Sequence, residues 1–147
     1  MPFIERTGDM FADPSLDALA HGVNCQGDMG GIAGVFAKKY PEMATYYKGI
    51  CRDNGLKTGD ILPWKEKGAP LIYNLATQQR GGPDAKYQHI DTTMGKMLSH
   101  AEKIGIGSIG VPQIGCGIGG LEWPKVKSIL KKHAENSPVD VVAYTYG

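Results

Sequence analysis

Residues 110–123 read Gly-Val-Pro-Gln-Ile-Gly-Cys-Gly-Ile-Gly-Gly-Leu-Glu-Trp. A short apolar strand (Ile106, Ile109, Val111) leads into four glycines within six positions, Gly115 to Gly120, and a helix is predicted from Pro124. Glycines crowded between a strand and a helix let the main chain pass close to a ligand and free its N–H groups to point there. The N-terminus of the following helix adds partial positive charge. The natural guest of such a loop is a phosphate or diphosphate. A simple turn, the ligand-free alternative, needs only one or two glycines.

The 21 glycines are the one departure from an average composition, and they gather at 27–34, 81–82 and 105–120. They have no period, which excludes a collagen-like repeat. With 147 residues, 41% hydrophobic and 21% charged, the chain suits one domain with one core. Sixteen basic and 15 acidic residues leave a net charge of +1, so Lys38, Lys39, Lys125, Lys127, Lys131 and Lys132 read as solvated helix faces rather than a nucleic-acid footprint. No apolar run approaches the ~20 residues of a membrane span. The N-terminus lacks the basic-then-apolar build of a signal peptide, so a cytoplasmic chain is the default expectation. Cys25, Cys51 and Cys116 are odd in number and widely spaced, which suits reduced thiols better than disulfides or a metal site.

Along the chain, Phe3–Arg6 reads as an edge strand and residues 16–24 as a buried strand ending near Asn24. A helix is predicted from Ile32, with Ile32, Val35 and Phe36 at helical spacing, and Pro41 interrupts it. A second helix covers about 42–51 and stops before Asn54-Gly55. Segments 60–64 and 71–77 read as paired strands around a turn at 65–68. A polar loop at 78–86 precedes a helix over 87–103 with the stripe Ile90, Met94, Met97, Leu98 and Ala101. The helix from Pro124 to about Ala134 turns Val126, Ile129 and Leu130 inward, and 139–146 is a closing strand. The alternation implies a three-layer α/β/α domain with a mixed, mostly parallel sheet. Both glycine loops follow strands and precede helices, so both are expected beyond the carboxyl ends of the strands, facing one ligand.

There is no Gly-x-x-x-x-Gly-Lys-Ser/Thr motif and no early Gly-x-Gly-x-x-Gly, which argues against a P-loop nucleotidase and a dinucleotide dehydrogenase. Four segments carry a likeness instead: Gly8-Asp-Met-Phe11, His21-Gly-Val-Asn-Cys-Gln-Gly-Asp-Met-Gly-Gly-Ile-Ala-Gly-Val-Phe36, Ile72-Tyr-Asn-Leu-Ala-Thr77 and Val111 to Trp123. In order and spacing the chain resembles the macrodomain family, whose members bind ADP-ribose. It looks closest to the branch of terminal ADP-ribose glycohydrolases, macrodomain antitoxins acting on ADP-ribosylated DNA, and fungal ADP-ribose 1''-phosphate phosphatases. His21-x-x-Asn-Cys-x-Gly, followed by a helix ending in Lys-Tyr-Pro41, is particularly like the phosphatases.

The resemblance implies roles. Asp9, with Met10 beside it, would take the adenine amino group; on sequence alone Asp9 reads equally as a cap or turn residue. Gly115, Cys116, Gly117, Ile118, Gly119 and Gly120 would wrap the diphosphate. Gly30, Gly31 and Ile32 would close on the distal ribose, with Asn24 bonding it and Thr77 and Gln78 beyond the neighbouring strand. Tyr144 or Tyr146 would stack on the base or pack in the core. For the chemistry, His21 is a candidate acid or base, Asp28 a candidate to orient water and Asn24 a candidate to hold the reacting ribose; His89 reads as a surface residue. The glycohydrolases and antitoxins carry a lysine at the position of Gln78, and the glycohydrolases an aspartate at that of Gly119. The implied function is ADP-ribose binding with hydrolysis of ADP-ribose 1''-phosphate or a terminal ADP-ribosyl conjugate, and the alternative is a non-catalytic reader module. A monomer without metal or cofactor is expected, meeting nucleic acid only as an ADP-ribosylated substrate.

Overall fold

The computed structural model describes residues 3–145. Six strands form one sheet: β1 (Phe3–Thr7), β2 (Ala18–Val23), β3 (Ile61–Trp64), β4 (Leu71–Ala76), β5 (Ser108–Val111) and β6 (Asp140–Thr145). Their order across the sheet is β1-β6-β5-β2-β4-β3. Every neighbouring pair is parallel except β3 with β4, the hairpin at one edge. Pro63 sits in that edge strand, where a missing N–H costs no ladder bond to a further strand.

Four helices cover the two faces: α1 (Ile32–Lys39), α2 (Pro41–Arg52), α3 (Tyr87–Ile104) and α4 (Trp123–Glu135). Strand alternation sorts the core between them. Ala18 and Ala20 of β2, Tyr73 and Leu75 of β4 and Val141 and Ala143 of β6 pack with Met94, Met97 and Leu130 of α3 and α4. Leu19, Ile72, Val142 and Tyr144 point the other way, onto Phe36 of α1 and Met43 of α2. Val23 and Ala76 continue that face against Tyr47 and Cys51 of α2. The result is three layers, helices–sheet–helices, with β4, an interior strand covered on both faces, buried along its whole length.

Local signals set the helix bounds. Tyr40 has non-helical dihedrals and separates α1 from α2, with Pro41 in the first turn of α2. Gly105 ends α3 in the left-handed region, φ 79°. Pro124 falls in the first turn of α4. The sequence reading places the strands and helices within a few residues of these bounds, except that β5 begins at Ser108 and leaves Ile106 in the loop before it. It misses a 3-10 turn at Met10–Ala12, three residues too short for any period. Tyr146, one of the two tyrosines considered for stacking on a base, lies outside the described residues. No helix is long and apolar enough to cross a membrane among the described residues.

Phe36 anchors α1 to the sheet. It is fully buried, meets Phe11 edge-on with ring centroids 4.8 Å apart, and stacks on His21 at 3.9 Å. Truncating it to alanine removes both ring contacts. Phe36→Ala is expected to lower unfolding free energy by about 3–5 kcal/mol, read from urea denaturation midpoints.

Candidate functional site

The strands β2, β4, β5 and β6 are parallel, so their carboxyl ends share one edge of the sheet, where ligands of open α/β sheets bind. A cavity of about 680 Å³ opens there, within the size range of small-molecule sites. Its walls are the segments leaving that edge. Gly22, Val23 and Asn24 end β2; Asp28 and Gly30–Ala33 lead into α1; Thr77, Gln78, Gly81 and Gly82 follow β4. Pro112–Gly119 follow β5, and Tyr144 and Thr145 end β6. Both glycine loops of the sequence reading therefore meet in one cavity.

Three contacts tie the loops into a ring. Cys25 N donates to Gln79 O at 3.0 Å and Ala85 N to Gly119 O at 3.3 Å. The half-exposed Ile118 reaches across to the first loop, where a Cβ on Gly31 would meet its Cδ1 at 3.1 Å. Gly31 has φ 56° and serves as N-cap of α1, a left-handed position that glycine fills without strain.

Main-chain amides supply free donors to this surface. The loop 112–121 uses some amides internally: Cys116 N bonds Gln113 O at 3.1 Å, and Leu121 N bonds Gly115 O at 2.8 Å. The amides of Gly117, Ile118 and Gly119 donate to no acceptor among the described residues. The first-turn amides of α1, Ile32 and Ala33, have no intrahelical partner either. Among the described residues no lysine or arginine lines the cavity, and Asp28 is its one carboxylate. Cys116 is held neutral, its thiol pushed up to about 11 by burial. Burial likewise raises Tyr144, whose phenol also donates to Asp13. The lining thus offers partial positive charge through main-chain dipoles, with the Asp28 carboxylate as the single formal charge at its rim.

Asn24 is nearly buried and its side chain is in use. Its Oδ1 accepts from Gln26 N (3.0 Å), Asp28 N (3.3 Å) and Tyr47 Oη (3.1 Å), and its Nδ2 donates to Asp28 O (2.9 Å). These bonds shape the turn that carries Asp28 into the cavity. Gln78 is tied similarly: Nε2 donates to Arg80 O at 2.6 Å and Gly82 O at 2.9 Å. Asp84 closes the same loop by accepting from Gln79 N and Arg80 N, which hold its carboxyl below the usual range.

Gly119 packs beside Gln78. A Cβ there would stand 2.7 Å from Gly115 O, 2.9 Å from Ala85 Cβ and 3.1 Å from Gln78 Oε1. The carbonyl is backbone and cannot swing away. Positions 78 and 119, which the family resemblance singled out, are thus neighbours here, one a bonded amide and the other closed to any side chain.

Four of the expected site residues, His21, Asp9, Met10 and Gly120, do not line the cavity. His21 is fully buried and lies outside the cavity. It shares its strand face with Leu19 and Val23, and so points at α1 rather than at the ligand edge. Its Nε2 bonds Asn74 Oδ1 at 2.6 Å, while Asn74 Nδ2 donates to Leu62 O at 3.0 Å. Asn74 therefore presents an acceptor, so His21 carries its proton on Nε2 and leaves Nδ1 without a partner. Burial lowers its pKa to about 4, which unfits it for proton transfer near neutrality. Asp9 and Met10 do not line the cavity. Asp9 caps the 3-10 turn through Phe11 N at 2.9 Å, and Met10 is buried beneath it. Gly120 lies just beyond the lining, turned back by a bond to Gly117 O. Asn24, Asp28, Gly30, Gly31, Ile32, Thr77, Gln78, Gly115, Cys116, Gly117, Ile118 and Gly119 all face the cavity.

A family model for the Macro domain matches residues 20–130, most of the chain and all but one of these walls. The chain belongs to the Macro domain family. Human ADP-ribose glycohydrolase OARD1 is 32% identical over 142 residues, 94% of this chain and 88% of that protein. A DNA ADP-ribosyl glycohydrolase of Mycobacterium tuberculosis is 33% identical over 133 residues, 87% of this chain but 38% of that longer protein. The solved macrodomain of Mycobacterium tuberculosis DarG superposes with a TM-score of 0.88 at 30% identity, covering 97% of this chain and 96% of that one. The fold is that of a macrodomain, with its six-stranded mixed sheet and four helices.

Some residues of the site escaped the sequence reading. Pro112, Gln113 and Ile114 belong to a quoted motif but were given no role, and Gly81-Gly82 was flagged only as a glycine pair. Tyr47, behind Asn24, gave no signal, being one aromatic on an amphipathic helix.

Two measurements check this geometry. Gly119→Asp is expected to destabilise the macrodomain by about 1–3 kcal/mol through overpacking, seen as a lower melting temperature. The His21 pKa is lowered from 6.5 in the unfolded chain to about 4 in the fold. Between these values the unfolded state binds the extra proton. This contribution to stability is therefore complete above pH 6.5, falls as pH drops toward 4, and totals on the order of 3 kcal/mol. Urea midpoints across that window should show the component in the wild type and lack it in His21→Gln.

Proposed function

We propose that the cavity binds ADP-ribose through main-chain amides and that the protein hydrolyses an ADP-ribose derivative, either ADP-ribose 1''-phosphate or a terminal ADP-ribosyl conjugate. The observation that carries this reading is the ring of loops. Unpartnered amides of Gly117, Ile118 and Gly119 face the first turn of α1 across one cavity, the geometry that suits a diphosphate. The names of the relatives, glycohydrolases of ADP-ribose and of ADP-ribosylated DNA, support the ligand.

The ligand has a direction in this reading. Gly8 N bonds Thr145 O at 2.9 Å, so Asp9 stands next to the Tyr144–Thr145 end of the cavity. Adenine lies at that end, the diphosphate under 115–119, and the distal ribose between Asn24, Gly30–Ile32 and Gln78. Of the titratable residues that line the cavity, Cys116 and Tyr144 are held neutral, which leaves Asp28 to orient or deprotonate a water. Gln78 holds its loop and offers no nucleophilic amine, and no aspartate fits at Gly119. This chemistry accordingly uses an activated water rather than a lysine adduct. The same two positions favour the second reading, a macrodomain that recognises ADP-ribose without turning it over.

Calorimetry with ADP-ribose and turnover assays on ADP-ribose 1''-phosphate, ADP-ribosylated protein and ADP-ribosylated DNA separate the two. Binding should change little between low and moderate salt, because no lysine or arginine lines the cavity. Asp28→Asn should lower kcat by about 10²-fold or more with KM little changed. Binding without turnover of any substrate selects the reader, and no binding rejects both.

A further inference from the structure

Asn24 has one hydrogen to spare. Its Oδ1 accepts from the Gln26 and Asp28 amides, which can only donate, so the orientation of the carboxamide is fixed by chemistry. Its Nδ2 gives one hydrogen to Asp28 O at 2.9 Å. An amide nitrogen carries two. Asn24 lines the cavity, and across the mouth Gly81 would put a Cβ 3.9 Å from Nδ2, so the second hydrogen looks into open space beside a residue without a side chain.

Tyr47 stands on the far side. It is fully buried in α2 and lines no part of the cavity. Its single hydroxyl hydrogen is shared between Asn24 O at 2.6 Å and Asn24 Oδ1 at 3.1 Å. Burial raises its pKa, so it remains a donor at any working pH. One phenol thus grips both the main chain and the side chain of the same cavity residue.

We infer that Tyr47 is a positioning residue: its buried hydroxyl locks the Asn24 carboxamide so that the remaining Nδ2 hydrogen donates to an acceptor oxygen of the bound nucleotide sugar. This deepens the ADP-ribose reading above and rests on it. The group that meets Asn24 must be a hydroxyl or phosphate oxygen, because Oδ1 is already saturated by three donors.

A double-mutant cycle on the full chain tests it. Tyr47→Phe should raise the Kd for ADP-ribose about 3- to 10-fold, and should add nothing once Asn24→Ala is present. An unchanged Kd, or an equal loss in both backgrounds, overturns the assignment and makes Tyr47 a packing residue. If the wild type does not bind ADP-ribose, the reading of the cavity fails, and hydrogen exchange of the Asn24 side-chain amide in the free protein decides on Tyr47. That amide should exchange faster in Tyr47→Phe, and equal rates overturn the lock. If Tyr47→Phe does not fold, the wild-type spectrum decides: the Tyr47 hydroxyl proton and one Asn24 Nδ2 proton slow to exchange in the free protein, with a nuclear Overhauser contact between that hydroxyl proton and the Asn24 side chain, and the second Nδ2 proton protected on saturation with ADP-ribose; a Tyr47 hydroxyl proton that exchanges freely overturns the lock. A second proton unmoved by saturating ligand overturns the inference.

Discussion

Parallel pairing is the constraint on which this structure depends. Because β1, β2, β4, β5 and β6 run the same way, their carboxyl ends share one edge of the sheet. The exits of β2, β4 and β5 turn there into α1, α3 and α4 on the two faces, and between the exits lies a space no element fills. The cavity is the geometric residue of that topology. What the sequence adds is the choice of residues at the exits: glycines, which keep the space open and leave amides to line it, and a few bonded polar side chains that hold the turns in place.

Those polar side chains are anchors before they are anything else. Asn24 spends four hydrogen bonds on its own turn and on Tyr47, Gln78 spends two on the loop after β4, and Asp84 two more. A loop fixed in this way costs little further ordering when a ligand arrives, which favours affinity without large contact area. It also explains how a site without a lysine or arginine can suit an anion: preorganised dipoles in a partly enclosed space need not reorient.

Much of this was legible in the sequence. Apolar runs located the strands, helical spacing and stop signals located the four α-helices, and the crowding of glycines after 109 and around 30 located both glycine loops that line the cavity. Other features were out of reach for definite reasons. Strand order is a property of long-range pairing that local patterns do not encode. The cap role of Asp9 was one of two readings that a Gly-Asp dipeptide leaves equal. His21 could have been placed from parity with Leu19 and Val23, which pack on the helix-facing side, but a histidine's chemistry drew the reading toward the ligand. Tyr47 needed coordinates, because nothing about one buried aromatic in an amphipathic helix says which carbonyl its hydroxyl meets.

The two borders of the sheet carry a consequence for how the protein behaves in company. An open strand border invites a neighbouring chain to add itself as the next rung. On one side β3 carries Pro63, which breaks the regular row of donors that an incoming strand would need. On the other, β1 bears Glu5 and Arg6, committed to Lys127 and to Asp13 respectively. Both borders thus discourage self-templated stacking, and a concentrated solution of this protein is guarded against fibre growth by a single ring and a pair of charges.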